Sequence, residues 1–231
     1  MERFARTEMV IGAANLARLR KSSVAVFGIG GVGGYAAEAL ARSGIGSLHL
    51  IDHDIVSLSN LNRQIIALES TLGRPKVAVM AERIKDINPN CEVYCYEEFY
   101  SPESGAHLLA LPVDYVADCI DSVAAKAALI ANCQKMGLPI IVSLGMGNKL
   151  DPTQLVVAEL FSTHTCPLAR RLRAALRKMG ITAGVPAVFS KERPVKTGQG
   201  PTPGSTSFVP AAAGLITASV IVRALLEEDG A

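Results

Sequence analysis

The sequence predicts an α/β fold with a mainly parallel, doubly wound sheet, and three observations support this class. Short apolar segments rich in β-branched residues alternate with longer segments of helical periodicity along the first two thirds of the chain. These short segments are apolar throughout, as expected of strands that are covered on both faces. A glycine-rich turn separates the first strand from the first long helix, which is typical of nucleotide-binding βαβ units.

The predicted elements alternate along the chain, starting with a strand. Strands are expected at Val24–Phe27, Leu48–Ile51, Glu92–Tyr96, Tyr115–Ile120 and Pro139–Ser143. Helices are expected between them, at Val32–Ser43, Arg74–Ile87, Ser101–Leu111 and Val123–Lys135. The third helix is predicted to begin at Ser101 because the proline that follows is compatible with the first helical position. Right-handed crossovers of this length place the strands in one parallel sheet.

The C-terminal third is predicted to be less regular. A strand is expected at Leu155–Leu160, a helix at Pro167–Lys178 and a short strand at Val185–Phe189. The segment Lys191–Ser205 contains three prolines and three glycines, so we predict a mobile loop there. The last helix is expected at about Val209–Glu228. Its apolar stretch is shorter than the roughly 20 residues of a bilayer span, so we predict a buried core helix, with weak peripheral membrane association as the alternative.

Length and composition restrict the class of protein. The chain has 231 residues, of which 49% are hydrophobic and 19% are charged, and this composition excludes a predominantly disordered chain. We expect a single domain over residues 1–231, in which about 151–206 form a basic, partly mobile, substrate-facing region. The cysteine count is odd and the first twenty-five residues contain no apolar segment of a secretory signal, so we expect a cytoplasmic location.

The turn after the first strand reads GIGGVG and is predicted to bind a nucleotide. Its glycines are Gly28, Gly30, Gly31 and Gly33. Glycines allow a tight turn, let the backbone approach a phosphate and let the helix pack closely on the strand. The N-terminus of the helix then offers unpaired N–H groups to the anion. Asp52 follows the second strand, where a carboxylate can bind ribose hydroxyls.

Four more polar side chains favour ATP with Mg²⁺ over a dinucleotide, namely Asn60, Arg63, Lys76 and Asp121. Arg63 suits a polyphosphate as a bidentate fork and Lys76 as a point charge. Asp121 suits Mg²⁺, which takes oxygen ligands and bridges to phosphate. We expect these groups to converge because the strand ends of a doubly wound sheet face one crevice. Taken singly, Arg63 and Lys76 have a simpler interpretation as solvated surface cations, and Asp121 has one as a helix cap.

Four motifs in this order resemble those of the ubiquitin-activating-enzyme-like adenylyltransferases, the superfamily of ThiF and MoeB. They are GIGGVG, DHDIVSLSNLNRQ, GRPKV and DCIDS. The resemblance implies a Rossmann-like fold, with the ribose-binding acid at Asp52, the ribose/phosphate amide at Asn60, the phosphate-binding cations at Arg63 and Lys76, and the catalytic Mg²⁺ aspartate at Asp121. The N-terminal RFAR resembles the RYxR element of this superfamily, which implies a homodimer in which Arg6 reaches the nucleotide site of the partner subunit.

Five further segments resemble one branch of this superfamily, the tRNA threonylcarbamoyladenosine dehydratases. They are ERFARTE, LGMGNKLDPT, CPLARR, LRKMGI and GSTSFVP. The resemblance implies ATP-dependent cyclisation of the threonylcarbamoyl group on the adenosine next to the anticodon of tRNA. The reaction implied proceeds through an acyl-adenylate of the carboxylate of that group.

The cysteines do not form the paired CxxC motifs of a four-thiolate zinc site, so we expect no structural zinc. Cys91 and Cys95 are expected on or beside one strand, and Cys119 and Cys133 in the core. Cys166 precedes the basic helix and is the candidate reactive thiol. It keeps open an interaction with a cysteine desulfurase or another sulfur-transfer partner.

A strongly basic segment runs from Cys166 to Lys196. It carries eight cations and one acid, a net charge of +7, whereas the whole chain carries +2. The cations on its predicted helix are Arg170, Arg171, Arg173, Arg177 and Lys178. Of these, Arg170, Arg173 and Arg177 are predicted to share one face by the i, i+3, i+4 rule. We expect this surface to bind the phosphates of tRNA beside the ATP crevice. A solvated helix face is the simpler alternative.

Two other functions are compatible with the sequence. One is an adenylyltransferase that activates the C-terminus of a sulfur-carrier or ubiquitin-like protein, and the absence of CxxC pairs disfavours it. The other is a non-catalytic nucleotide-binding protein or sulfur-relay partner. The presence of Arg63, Lys76 and Asp121 together argues against the second, because a binding module has no need of the groups that stabilise a leaving pyrophosphate.

Overall fold

Seven strands form one sheet in the computed structural model, which describes residues 2–103, 105–195 and 203–226. The strands are β1 Ser23–Phe27, β2 Ser47–Ile51, β3 Glu92–Tyr96, β4 Tyr115–Asp118, β5 Ile140–Ser143, β6 Leu155–Glu159 and β7 Pro186–Ser190. Their order in the sheet is β3-β2-β1-β4-β5-β7-β6. All neighbours are parallel except β6 and β7, which are antiparallel. The predicted α/β, Rossmann-like doubly wound class is therefore confirmed.

Helices cover both faces of the sheet. They are α1 Ala5–Ile11, α2 Ala13–Leu19, α3 Gly33–Ser43, α4 Lys76–Ile87, α5 Ala106–Leu109, α6 Val123–Met136, α7 Pro167–Lys178 and α8 Phe208–Leu226. Alternate residues of β1 point to opposite faces: Val24 and Val26 pack in the core beneath α3 and α8, whereas Ala25 and Phe27 pack in the core beneath α6 and α7. This double burial explains why the central strands are apolar throughout.

Several boundaries differ from the predicted ones for local reasons. Strand β4 ends at Asp118 rather than Ile120, because the Asp118 side chain accepts a hydrogen bond from the backbone of Ile120 at 3.1 Å and turns the chain. The predicted helix Ser101–Leu111 is reduced to the single turn of α5. A Cβ atom on Gly105 would lie 2.3 Å from the buried ring of Tyr100, so the chain bends there before the helix begins.

Two N-terminal helices, α1 and α2, were not predicted. Each has seven residues, and neither begins with a side chain that caps it, so the usual start signals are missing. Tertiary contacts hold them instead: Phe4 before α1 and Leu16 and Leu19 in α2 are buried. Packing against the rest of the chain thus decides helices that local sequence does not.

Helix α8 combines a buried face with an exposed apolar face. It is long and apolar enough to span a bilayer, with 19 residues and a mean hydropathy of 1.9. However, 39% of its apolar 18-residue stretch is buried in the protein. The helix crosses α3 at Gly214, where a Cβ atom would lie 2.3 Å from the carbonyl oxygen of Val32. Leu215 on its other face is 53% exposed. The predicted core helix is therefore only partly buried, and its predicted end at Glu228 lies outside the described residues.

The described ends of the predicted mobile loop are hydrogen-bonded to the segment after β5. The backbone N–H of Val195 donates to the carbonyl of Asn148 at 2.7 Å, and Asn148 Oδ1 accepts from the backbone of Gly204 at 2.6 Å. Asn62 Nδ2 also donates to the carbonyl of Ser205 at 2.9 Å. The remainder of the loop, residues 196–202, lies outside the described residues, and Lys196 with it. The described ends are thus fixed at the edge of the sheet.

A buried carboxylate joins α3 to α4, and we expect its loss to destabilise the protein in a pH-dependent way. Glu38 accepts hydrogen bonds from Arg42 Nε at 2.9 Å and from Arg83. Burial raises the pKa of Glu38, but the two arginines together lower it by more than burial raises it. The pKa of Glu38 is therefore below its usual value of 4.5. A depressed carboxyl pKa contributes stability above the unfolded-state pKa, and this contribution is lost as pH falls through the folded-state pKa.

We therefore expect Glu38→Gln to lower the free energy of unfolding by about 1–2 kcal/mol at pH 7, a value reduced for the partial exposure of both arginines. The difference from the wild type should shrink below about pH 4. Urea unfolding of both proteins at the two pH values measures it. An equal difference at both pH values would contradict the electrostatic role of Glu38.

Candidate functional site

A cavity of 620 Å³ opens at the carboxyl ends of the central strands, beside the neighbouring strands β1 and β4, where the strand order of the sheet reverses direction. Eight of the residues predicted to bind nucleotide line it: Gly28, Gly30, Gly31, Asp52, Asn60, Arg63, Lys76 and Asp121. A switch point of this kind is where open α/β sheets bind their ligands. The convergence of these side chains, which sequence could only suggest, is therefore present in the fold.

The glycine turn requires glycine at two positions for different reasons. Gly28 has φ +87°, and a Cβ atom there would lie 2.8 Å from the carbonyl oxygen of Cys119. Gly33 does not line the cavity, but a Cβ atom there would lie 1.7 Å from the carbonyl oxygen of Gly28. Gly33 therefore lets α3 start directly against the turn, so that the N-terminus of the helix faces the cavity.

Asp52 fixes the glycine turn as well as facing the cavity. Its Oδ2 accepts a hydrogen bond from the backbone N–H of Ile29 at 2.6 Å, and its Oδ1 accepts one from the backbone of Asp54 at 2.9 Å. Each carboxylate oxygen has a second lone pair, so both can still accept from ribose hydroxyls. Asp52 thus couples the position of the turn to the predicted ribose contact.

Lys76 is held at the cavity wall by a partner that sequence reasoning missed. Its Nζ lies 2.7 Å from Asp54 Oδ2, and the lysine side chain is 6% exposed. The pairing arises because the backbone of Lys76 donates to the carbonyl of Asp54, which also delays the start of α4 from the predicted Arg74. Burial raises the pKa of Asp54, but the hydrogen bond and charge of Lys76 lower it to below its ordinary value. The ammonium group is therefore positioned before any phosphate arrives.

Acidic and imidazole groups cluster after β2. Asp52, His53 and Asp54 bring three possible metal-ligand atoms within 4.8 Å of one another. The carboxylates of Asp52 and Asp54 are already engaged with the glycine turn and with Lys76. The cluster is therefore explained by the architecture of the nucleotide site.

Asn60 and Arg63 are presented by one turn of 3₁₀ helix and the residues after it. Asn60 is 8% exposed, and its Oδ1 accepts from the backbone of Ser57 at 3.1 Å, which leaves its NH₂ group for a ligand. Arg63 Nη1 donates to the carbonyl of Ser59 at 2.7 Å and to Asn62 Oδ1 at 2.8 Å. A guanidinium has five N–H donors, so three remain for a phosphate.

Asp121 lies on a short loop after β4, and a buried ion pair holds the start of this loop. Asp118 Oδ1 lies 2.8 Å from Lys126 Nζ, and both side chains are fully buried. Lys126 Nζ also donates to the carbonyl of Asp118 at 3.2 Å. Burial raises the pKa of Asp118, although Lys126 opposes that rise. Asp121 itself is exposed, and Ser122, not Asp121, accepts the capping hydrogen bond of α6. The helix-cap interpretation of Asp121 is therefore wrong.

Sequence reasoning gave no role to several other cavity residues, among them Phe99, Gln64 and Ser143. Phe99, in the segment after β3, lies with its ring edge-on to His53 at 5.0 Å. Gln64 and Ser143 are 7% and 3% exposed, and Gln64 Oε1 and Ser143 Oγ have no hydrogen-bond partner in the described part of the chain. Gln64 ends the motif DHDIVSLSNLNRQ but was given no role, whereas Phe99 and Ser143 lie in no motif. The hydrogen-bonding capacity of the two buried polar groups is available to a ligand.

The five cations of α7 differ in their surroundings. Arg170, Arg171 and Lys178 are exposed, and Arg171 lines the cavity. Arg173 is half-buried, and its Nη1 donates to Thr163 Oγ1 at 2.6 Å. Arg177 lies over the ring of Phe161, 5.4 Å from its centroid. The predicted face of Arg170, Arg173 and Arg177 is therefore not uniformly free, because two of its three members pack against the preceding segment.

Arg6 and the cysteines complete the predicted residues. Arg6 is exposed on α1 and does not line the cavity. Cys166, the predicted reactive thiol, is 4% exposed because it caps α7, where its Sγ accepts from the backbone of Ala169. Cys119 lines the cavity rather than the core, whereas Cys133 is buried and burial raises its pKa to about 12. A freely accessible thiol at Cys166 is thus contradicted.

Comparison with known proteins places this geometry in a family. Residues 4–231 match the sequence profile of the ThiF family. The tRNA threonylcarbamoyladenosine dehydratase of Bacillus subtilis is 43% identical over 99% of this chain and 96% of its own length. That of Escherichia coli is 44% identical over 83% of this chain and 74% of its own. The crystal structure of the E. coli enzyme with ATP has a TM-score of 0.93 at 41% identity and covers 97% of this chain and 93% of that one. The chain therefore belongs to the ThiF family, within its branch of tRNA threonylcarbamoyladenosine dehydratases.

Proposed function

We propose that this protein is an ATP-dependent tRNA threonylcarbamoyladenosine dehydratase, which cyclises the threonylcarbamoyl group on the adenosine next to the anticodon. The observation that carries the proposal is the single cavity that unites the glycine turn, Asp52, the cations Arg63 and Lys76, and the free carboxylate of Asp121. Relatives of this name share 43–44% of their residues with the chain over most of its length.

The first step is activation of a carboxylate, which is a poor acyl donor. One oxygen of the substrate carboxylate attacks the α-phosphorus of ATP, a P–O bond forms, and the bond to the leaving pyrophosphate breaks. Arg63 and Lys76 stabilise the negative charge that builds on the phosphates, since both are held in place before the reaction. Pre-positioned charge of this kind avoids the cost of reorganisation during the step.

The second step closes the ring. The carbamoyl group attacks the activated carbonyl carbon within the same substituent, the acyl–phosphate bond breaks, and AMP leaves. The net result is the loss of one water from the nucleoside and the conversion of ATP to AMP and pyrophosphate. An intramolecular attacker has a high effective molarity, so the chemistry requires no enzyme nucleophile. The burial of Cys166 is consistent with this route.

The donor set at Asp121 fits one Mg²⁺ ion. The Asp121 carboxylate lines the cavity and makes no hydrogen bond or ion pair with the residues that the structure describes. Mg²⁺ in phosphate sites is bound by one or two carboxylates together with the phosphates of the substrate. Asp121 would hold the ion, which supplies positive charge next to the phosphates when bound.

Mass spectrometry of tRNA tests the proposed function directly. Wild-type protein, ATP and tRNA carrying threonylcarbamoyladenosine should yield a nucleoside lighter by one water, with AMP formed in equal amount. The same tRNA without the modification serves as the control and should yield neither product. Pyrophosphate exchange that depends on a small carrier protein and not on tRNA would instead support the carrier-protein adenylyltransferase.

We further propose that α7 contacts the tRNA backbone through its unpaired cations. Replacing Arg170 and Lys178 together by glutamine should reduce the slope of log K against log salt concentration by about 0.7–0.9 for each phosphate that the variant no longer neutralises. Arg173→Gln is the matched control, because Arg173 is hydrogen-bonded to Thr163 and should affect stability rather than the slope. Titrations of tRNA binding at several salt concentrations measure the slope. A slope that the double substitution leaves unchanged would contradict this surface.

A homodimer is proposed as the active form, with Arg6 entering the site of the partner subunit. Arg6 lies outside the cavity of its own chain, on a helix whose Met9 and Val10 are 75% and 84% exposed. Arg6→Ala and Asp121→Asn should each be inactive alone. Mixed in equal amounts and allowed to exchange, they should recover about a quarter of wild-type activity, because half of the dimers then contain one intact site. No recovery on mixing would place Arg6 in its own subunit's site or outside catalysis.

A further inference from the structure

The residues predicted to bind the nucleotide form only one wall of the cavity, the first wall. Other residues form a second wall. This wall is formed by the end of β5 and the segment that follows it, the first turns of α7, and the first turn of α8 with the segment that leads into it. Its members include Ser143, Gly145, Leu168, Arg171, Ser205 and Pro210. The first wall already offers groups for ribose, phosphates and Mg²⁺, so the second wall is available to whatever reacts with the nucleotide.

Ser143 is the first indication of a ligand on this wall. It is the last residue of β5 and is 3% exposed, and its Oγ has no hydrogen-bond partner in the part of the chain that the structure describes. A buried hydroxyl without a hydrogen-bond partner is unfavourable, because it has lost its hydrogen bonds to water. Because β5 is the parallel neighbour of β4, Ser143 lies at the same edge of the sheet as the loop that carries Asp121.

Arg171 is the second, independent indication. It is the basic residue of α7 that lines the cavity, and its guanidinium has no hydrogen bond or ion pair to the described residues. Arg173 and Arg177 on the same helix are held by their own chain. A free guanidinium beside an anionic cosubstrate is suited to a second anion, and its planar fork matches a carboxylate.

We propose that Ser143 and Arg171 form the subsite for the threonylcarbamoyl group itself, an inference that rests on the proposed function. Arg171 binds one carboxylate oxygen and leaves the other free to attack the α-phosphorus. It also offsets the repulsion between that carboxylate and the phosphates of ATP. Ser143 Oγ hydrogen-bonds the carbamoyl group, which orients it toward the carbonyl that it will attack. Arg171 thus reads the modification rather than the tRNA backbone, in contrast to Arg170.

Binding of two tRNAs in the absence of ATP tests the assignment of Arg171. One tRNA carries threonylcarbamoyladenosine and the other is the same molecule without it. Arg171→Gln should weaken binding of the modified tRNA by about 10- to 100-fold, and leave binding of the unmodified tRNA within about twofold. Arg170→Gln is the matched control on the same helix and should weaken both equally. Equal losses for both tRNAs with Arg171→Gln would show a backbone phosphate contact and overturn the proposal.

Ser143→Ala provides a readout that a structural role would not give. It should lower kcat/KM for modified tRNA by about 3- to 10-fold, with no decrease in the free energy of unfolding, because the hydroxyl has no partner to lose. A loss of stability without a change in kcat/KM would overturn its assignment. Failure of the proposed function is a separate result, since wild-type protein would then remove no water from the modified tRNA.

Discussion

Asp121→Asn should lower the rate of adenylate formation by about 10²- to 10³-fold, the usual effect of removing one preorganised electrostatic group from an active site. Asparagine keeps the shape of the side chain but loses the negative charge that would hold Mg²⁺ beside the phosphates. The Asp121 carboxylate has no structural partner among the described residues, so the fold should be unaffected. AMP release and pyrophosphate exchange with modified tRNA measure the change.

A control for Asp121 is available on α4. Asp86 is an exposed carboxylate that does not line the cavity, and Asp86→Asn should leave both rates within about twofold, as expected for a surface substitution. The apparent affinity for Mg²⁺ should fall in Asp121→Asn and not in the control. Adenylate formation within tenfold of the wild type in Asp121→Asn would refute the assignment of this residue to catalysis.

Lys126→Met is expected to destabilise the fold by about 3–5 kcal/mol, because removing one partner of a buried ion pair leaves the other uncompensated. Asp118 and Lys126 are fully buried, with Asp118 Oδ1 2.8 Å from Lys126 Nζ, and Asp118 Oδ2 has no hydrogen-bond partner in the described part of the chain. In the variant, burial raises the pKa of Asp118, and only the hydrogen bond from the backbone of Ile120 still opposes that rise. A raised carboxyl pKa costs stability as pH rises above the unfolded-state value, so the loss should be smaller near pH 4 than at pH 7.

Urea unfolding of single and double variants tests the ion pair. Asp118→Asn/Lys126→Met removes both charges and keeps an acceptor for the backbone of Ile120, so it should recover more than half of the lost stability. ATP affinity of the double variant should also be closer to wild type than that of Lys126→Met, since no unpaired buried charge then remains at the start of the loop of Asp121. A double variant no more stable than Lys126→Met would show that the methionine, and not the unpaired charge, is responsible.

Local sequence determined much of the fold because its central elements carry strong signals. Doubly covered strands need apolar residues on both faces, and this alone placed β1, β2 and β5 to within about a residue. The glycine turn was predictable because only glycine fits at Gly28 and Gly33. Helices α1 and α2 gave no such signal, since their stability comes from the burial of a few residues against distant elements.

The sequence by itself determined which groups the nucleotide site contains. The residue types that bind ribose and phosphate follow the strands directly, and the carboxyl ends of parallel strands lie together at one edge of the sheet. Only the tertiary structure decided how each group is held. Asp54 pairs with Lys76, Lys126 holds Asp118 at the start of the loop that carries Asp121, and Arg171, but not Arg173, lines the cavity. These contacts join residues far apart in the chain, so their distances depend on the packing of helices and loops and not on local propensity.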